Sequence, residues 1–316
     1  MDHTDTTALV TGASSGIGRE FARALAARGA DLVLVARRAD VLEELAQSLR
    51  SDHGRVVTVV PLDLTQPASG TRLLTELDRL GVRVDTVVNC AGIGLTRDFV
   101  DSTPSELGDQ LAVNIDAVVD VCRAFLPRLV SSSRGVLLNV ASLTAYMPTP
   151  GMAVYAASKA FVLRFTEALA YELRDSGVTV MAFSPGPTKT EFYRNSGTDE
   201  GRVRFETPEQ VVAAAFRALD KPTPPGQCRV GQCEHADQPH RATAAEADGP
   251  APGRLFPEDD GLTSSPHQGD QPGGTTGPGA RGPSHGHPTG TSHPQRERVD
   301  MARVQTGVAG VACAVP

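Results

Sequence analysis

The chain has 316 residues and a net charge of −7, with 37 acidic side chains against 30 Lys and Arg scattered along helical patterns; nothing points to nucleic acid or a membrane surface. No apolar run approaches the roughly 20 residues of a membrane helix. The acidic opening MDHTDTTALVTG enters a strand at once, unlike a secretory signal, so a cytoplasmic protein is expected.

Short β-branched runs alternate with longer helical patterns. TALV (7–10) precedes a helix over 16–28, and DLVLVA (31–36) precedes one over 40–50. RVVTVV (55–60) is followed by a helix over 67–80, and VDTVVN (84–89) by helical patterns between 104 and 130. GVLLNVA (135–141) leads to the run AVYAASKAFVLRFTEALAYEL, and VTVMAFS (178–184) to a loop and a last helix over 208–219. Strands apolar on both faces and separated by helices predict an α/β fold, a doubly wound parallel sheet of Rossmann type, with ligands at the carboxyl ends of the strands. Leu, Ile, Val and Phe concentrate in residues 1–221, enough for one dinucleotide-binding domain. Residues 222–316 are rich in Pro and Gly, with Phe256 their only aromatic, a composition that predicts a disordered tail.

After the first strand comes TGASSGIG, which opens the first helix. Gly12, Gly16 and Gly18 allow a tight turn and the close approach of a pyrophosphate, and Ser14, Ser15 and Ile17 lie between them. The helix N-terminus offers unpaired N–H groups to the anion. At the end of the second strand an NAD site usually places a carboxylate for the ribose 2'-OH. This chain has Ala36 followed by Arg37 and Arg38, and Arg37 is suited to fork onto a 2'-phosphate. NADP(H) is therefore favoured over NAD(H).

Tyr155 and Lys159 fall four residues apart on a predicted helix and share a face. A phenol, with a pKa near ~10, is a poor proton donor or acceptor at neutral pH unless a cation stabilises the phenolate. Lys159 would supply that cation. The chain's lysines are Lys159, Lys189 and Lys221 alone, so a lysine at 159 reads as chosen for its chemistry. Cys90 and Cys122 lie in apolar contexts and read as reduced core thiols. Cys228, Cys233, His235 and His240 are of metal-ligating types, but their spacing is cramped for a tetrahedral site and no metal is expected.

Together these residues resemble the short-chain dehydrogenase/reductase family from residue 7 to about 219. TGASSGIG, the LDL at 62–64, the NCAG at 89–92, Asn114 in AVNI, Ser142, YAASK at 155–159 and PGPTKT at 185–190 occur in that family's order and spacing. Cys90 stands where the family often has a second Asn, and with Asn89, Ala91 and Gly92 retained the change reads as tolerated. The resemblance implies hydride transfer between a nicotinamide and a carbonyl or alcohol. Tyr155 would be the acid or base, and Ser142 would hold the substrate oxygen. Lys159, with the positive nicotinamide of the oxidised state, would lower the tyrosine pKa and would also hold the nicotinamide ribose, and Asn114 would keep a water joining Lys159 to solvent. It further implies cofactor contacts at Asp63 and Leu64 near the adenine, at Asn89, Ala91 and Gly92, and at Pro185, Gly186, Thr188 and Thr190 near the nicotinamide. From the residues alone, Asp63 reads equally as a strand-end turn residue, and Thr188 and Thr190 as helix caps.

The expected partner is a hydrophobic ketone, aldehyde or alcohol, the walls coming from 143–152 and 191–205. Family analogy suggests a homodimer or homotetramer. The helical and strand pattern stops at Lys221, where the family continues with a seventh strand. Shifting PGQCRVGQCEHADQPH by one base, with permitted codons, gives the strand-like S-V-V-S-G-N-V-N. The tail is thus read as translated out of frame, leaving the sheet without an edge strand; a natural low-complexity tail that binds partners is the other reading. The alternative to a working enzyme is a protein that binds NADP(H) without turnover.

Overall fold

In the structure, a computed structural model, residues 3–132, 135–197, 204–221 and 228–232 are described. Strand β1 (Thr7–Thr11) lies inside the sheet, between β2 (Asp31–Ala36) and the central β4 (Thr86–Asn89). With β3 (Val57–Pro61), β5 (Val136–Val140), β6 (Thr179–Ser184) and β7 (Arg229–Gln232), the order is β3-β2-β1-β4-β5-β6-β7, and every pairing is parallel. The strand order reverses at β1 and β4, so the loops leaving those two strands diverge and leave a crevice, where such sheets bind their ligands.

Alternation along the strands divides the core in two. Ala8, Val10, Leu32 and Leu34 face one side, where they meet Phe21 of α1 (Gly16–Ala27), Leu42 of α2 (Ala39–His53) and Val211 of α8 (Pro208–Asp220). Leu9, Val33, Val35 and Leu137 face the other. They pack against Leu73 of α3 (Ser69–Arg79), Phe125 of α5 (Ala117–Ser132) and Leu163 of α6 (Ala153–Glu172). Both faces are covered, which is why these strands read as continuous apolar runs. Each fully buried Leu or Phe contributes about 1.5–3 kcal/mol.

Helices α3 and α5 touch at backbone distance. A Cβ on Gly70 would lie 2.5 Å from the Asp120 carbonyl carbon, and the Gly70 N–H donates to Asp120 Oδ2 at 2.7 Å. Gly70→Ala is therefore expected to cost roughly 1–3 kcal/mol as the helices are forced apart. A fall in the urea midpoint with unchanged m-value would show it, and an unmoved midpoint would mean that the helices separate freely.

Two elements depart from the sequence expectations. The pattern between 104 and 130 is α4 (Pro104–Leu111), a π-helical turn (Ala112–Asp116) and α5, with Asn114 inside the π turn. The sheet also has the edge strand that the sequence reading left out: Arg229–Gln232 pairs with β6 along Met181–Ser184. A Cβ on Gly231 would meet Met181 Cε at 2.6 Å and Phe183 Cδ2 at 2.7 Å. The glycine that looks like a breaker is thus what lets β7 lie against these side chains. The remainder of 222–316 is outside the described residues, with the zinc-type Cys233, His235 and His240 and the out-of-frame reading. Cys228 packs against the core, and burial pushes its thiol up to about 11. Among the described residues, no helix is long and apolar enough to cross a membrane.

Candidate active site

The turn after β1 brings two loops into backbone contact. Gly12 has φ 71°, and a Cβ there would meet Ala91 Cα at 2.9 Å, so only glycine lets the loops after β1 and β4 come this close. Thr11 joins them, its Oγ1 accepting from the N–H groups of Cys90 (3.0 Å) and Ala91 (3.1 Å). Helix α1 starts at Gly16 with Ser15 at its N-cap, yet the Ser15 side chain makes no capping bond and the first turn has no acidic residue. The N-terminal N–H groups and the Ser15 hydroxyl are left for a phosphate. Ile17 turns its side chain to the core, so its part in such a site is its backbone.

At the end of β2, Arg37 makes no side-chain hydrogen bond among the described residues, but it stands close enough to Asp63 to help lower that carboxyl's pKa. The larger cause is the Thr65 N–H, which donates to Asp63 Oδ1 at 3.0 Å beside the Thr65 hydroxyl at 2.9 Å. Asp63 Oδ1 thus closes a turn with Thr65, and the side chain of its neighbour Leu64 is buried in the core. Arg38 Nη2 donates to Ser14 Oγ (3.3 Å), to the Ser14 carbonyl (3.3 Å) and to Glu191 Oε2 (3.1 Å).

The crevice's other end gathers Ser142, Tyr155 and Lys159, all three buried. Ser142 follows β5; its hydroxyl accepts from the Thr144 N–H at 3.2 Å and stands close enough to the Tyr155 phenol to oppose a rise in its pKa. One helical turn beyond the tyrosine, Lys159 Nζ donates to the Val140 carbonyl at 2.9 Å and lies 5.8 Å from the Tyr155 ring centroid. Burial pushes the phenol above its ordinary pKa, with Ser142 opposing, and pushes the ammonium down to about 8. In the structure the dominant influence on the phenol is desolvation, which raises its pKa; the lowering expected of Lys159 is tied to the positive nicotinamide of the oxidised cofactor.

Asn114 is fully buried; its Nδ2 donates to the Ile93 carbonyl (2.9 Å) and to Ser158 Oγ (3.1 Å), and its Oδ1 accepts from the Ile93 N–H (3.0 Å). This residue clamps the loop after β4, and the π turn re-aims its side chain to do so. A Cβ on Gly92 would lie 3.4 Å from both Asn114 Oδ1 and Lys159 Nζ, so the absent side chain keeps that wall open.

The short chain dehydrogenase family model matches residues 6–201. The chain belongs to this family. Among curated relatives, an uncharacterized oxidoreductase of Staphylococcus epidermidis is 36% identical over 68% of this chain and 91% of its own length. Sulfoacetaldehyde reductase 2 of Chromohalobacter salexigens is 36% identical over 72% of this chain and 92% of its own. Among solved structures, a short-chain dehydrogenase from Sphingobium yanoikuyae in complex with NADPH is 35% identical with a TM-score of 0.67, covering 72% of this chain and 87% of its own. The bulky-bulky ketone specific alcohol dehydrogenase from Comamonas testosteroni is 30% identical with a TM-score of 0.64, covering 72% and 86%.

As a short-chain dehydrogenase, the chain places most of its family residues at the crevice and turns some inward. The Asn89 side chain donates to Asn139 Oδ1 at 2.9 Å inside the core, so only its backbone faces the loop. Pro185 accepts from the Leu143 N–H (3.0 Å), and Thr188 Oγ1 donates to the Gly186 carbonyl (2.9 Å), closing its own turn. Thr190 is the helix cap, accepting from the Phe192 N–H at 3.3 Å at the start of α7 (Glu191–Ser196). Cys122 is a buried core thiol, whereas Cys90 is partly buried and packs against the core; desolvation pushes both up to about 12.

Sequence reading missed α7, six residues being too few to show a period. It carries Phe192, whose ring lies 5.2 Å from that of Tyr155, and Tyr193, which meets Phe205 at 4.9 Å. Also missed were Ser158, the partner of Asn114, and Arg19, which donates to the Ser14 carbonyl. The one available signal was position, Ser158 inside YAASK and Arg19 directly after Gly18.

Proposed function

We propose that this short-chain dehydrogenase is an NADP(H)-dependent oxidoreductase that reduces a hydrophobic ketone or aldehyde, or oxidises the corresponding alcohol. The observation that carries the reading is the meeting of the Ser142 hydroxyl, the Tyr155 phenol and the Lys159 ammonium in one buried place next to the point where the strand order reverses. Residues 12–18 and the loop from Asn89 to Gly92 would hold a dinucleotide. The uncapped Ser15, the first turn of α1 and the wall opened by Gly92 fit such a group. When bound, it supplies or accepts the hydride.

The chain's own residues move the proton. Tyr155, its pKa raised, is protonated at neutral pH, the form required to donate to a carbonyl oxygen; in oxidation it takes the proton back. The Ser142 hydroxyl holds that oxygen and opposes the rise in the phenol's pKa, so it stabilises negative charge on either group. Lys159, at about 8, remains charged at pH 7 and offsets the phenolate formed as the proton leaves. Asn114 would hold the water that returns protons from solvent to Lys159.

Two features support the finer choices. Ala36, Arg37 and Arg38 end β2 with two guanidinium groups and without the strand-end carboxylate that reads a ribose 2'-OH, which favours the phosphorylated cofactor, the one bound in the Sphingobium relative. The Phe192 ring beside Tyr155, followed outward by Tyr193 and Phe205 in a chain of ring contacts, favours an apolar substrate, as the ketone specificity of the Comamonas relative does.

Thermal unfolding with NADPH, with NADH and with neither tests the cofactor reading. A ligand that binds only the folded chain adds about 2.7 kcal/mol at 100 times its dissociation constant. NADPH is expected to raise the midpoint more than NADH at equal concentration. Equal shifts would overturn the preference, and no shift with either would overturn the dinucleotide site.

A further inference from the structure

Helix α7 reaches both ends of the crevice. Phe192 lies against the Tyr155 ring, and the preceding residue, Glu191, reaches the adenosine end, where its carboxylate pairs with Arg38 at 3.1 Å. The contact is reinforced one residue earlier, since a Cβ on Gly16 would meet Thr190 Cγ2 at 2.9 Å. The entry to α7 therefore lies across the phosphate loop. Each of the two arginines after β2 has an acidic neighbour, Asp63 for Arg37 and Glu191 for Arg38. The two acids are held differently: Asp63 is pinned by the N–H and hydroxyl of Thr65, whereas Glu191 sits on a six-residue helix with its side chain 37% exposed.

We propose that Glu191 is a specificity-determining residue: its carboxylate takes the Arg38 guanidinium that the 2'-phosphate of NADP(H) would take, and so weakens the chain's preference for the phosphorylated cofactor. This rests on the NADP(H) reading above. Carboxylate and phosphate are interchangeable partners for a guanidinium, and the Arg38 contacts to Ser14 and to Glu191 all run from Nη2, so a phosphate that reaches this guanidinium meets the Glu191 carboxylate already at its edge. An exposed pair of this kind is worth little, so a phosphate dianion displaces the carboxylate. The displaced Glu191 remains nearby and repels the phosphate. A 2'-hydroxyl leaves the pair intact, so a cofactor without the phosphate is insensitive to residue 191.

Calorimetric titration of the full chain, of Glu191→Gln and of Arg38→Ala with adenosine 2',5'-bisphosphate and with 5'-AMP separates the possibilities. Gln keeps the size of Glu at an exposed position, and the thermal midpoint verifies the fold. Glu191→Gln is expected to tighten the bisphosphate by roughly three- to tenfold, the scale of one exposed charge pair plus one relieved repulsion, with 5'-AMP unchanged. In the Arg38→Ala background the same substitution is expected to lose most of that effect. If the unaltered chain prefers the bisphosphate and Glu191→Gln leaves the ratio of the two affinities as it was, the competition is overturned and the NADP(H) reading stands. A chain without preference that gains one on Glu191→Gln supports the competition and overturns the NADP(H) reading. No preference in either protein overturns both.

Discussion

Tyr155→Phe is expected to lower kcat/KM for carbonyl reduction by roughly 10²–10⁴, the usual contribution of a positioned general acid. The substitution removes only the hydroxyl. The ring that meets Phe192 at 5.2 Å is kept, and Ser142 retains its bond from the Thr144 N–H. Stability is therefore expected to stay within about 1 kcal/mol of the unaltered chain, since a single lost hydrogen bond is worth about that much. Dinucleotide binding should be unchanged. Steady-state rates on a panel of ketones and aldehydes, with denaturant midpoints for both proteins, check all three expectations. Equal rates for the two proteins would remove the phenol from the chemistry and leave a chain that binds its dinucleotide without turning over.

Lys159→Met is expected to abolish most activity and yet to stabilise the fold at neutral pH. Lys159 is 5% exposed, and burial brings its pKa from 10.5 down to about 8. Between those values the unfolded chain binds a proton that the folded chain does not, so the stability of the unaltered protein should rise as pH climbs through that window. Below about 8 both states carry the proton, and the full cost of burying the charge is present. At about 1.4 kcal/mol per pKa unit this cost is about 3 kcal/mol. Leaving the Val140 carbonyl without its donor takes back about 1–2 kcal/mol. The Met protein should therefore be more stable by about 1–2 kcal/mol at pH 7, with the advantage shrinking by pH 10. Urea unfolding of both proteins from pH 6 to 10 measures it. A Met protein less stable at pH 7 would mean that the ammonium's surroundings fully compensate its burial.

Local pattern was enough for much of this molecule. The β-branched runs from TALV to VTVMAFS became strands β1 to β6 within two or three residues of their expected bounds, because a strand covered on both faces must be apolar throughout. The turn TGASSGIG and the i, i+4 pair Tyr155 and Lys159 were legible because their geometry is set within one turn of chain. Other features depend on partners distant in sequence. β7 is four residues with a glycine among them, and the open edge of β6 is what makes them a strand. Asn114 acquires its role from Ile93 and Ser158, 21 and 44 residues away. The contact between Glu191 and Arg38 spans 153 residues, and no spacing rule reaches that far.

By itself, then, the sequence determined the parallel sheet and its glycine turn and marked Tyr155 and Lys159 by their i, i+4 spacing, since each is written in short-range periodicity and side-chain type, while Ser142 entered through the family resemblance. Tertiary structure alone decided the direction in which the tyrosine's pKa moves, the seventh strand and the attachment of α7 to both ends of the crevice. Desolvation, strand pairing and ion pairing all depend on what folding brings alongside a residue from elsewhere in the chain.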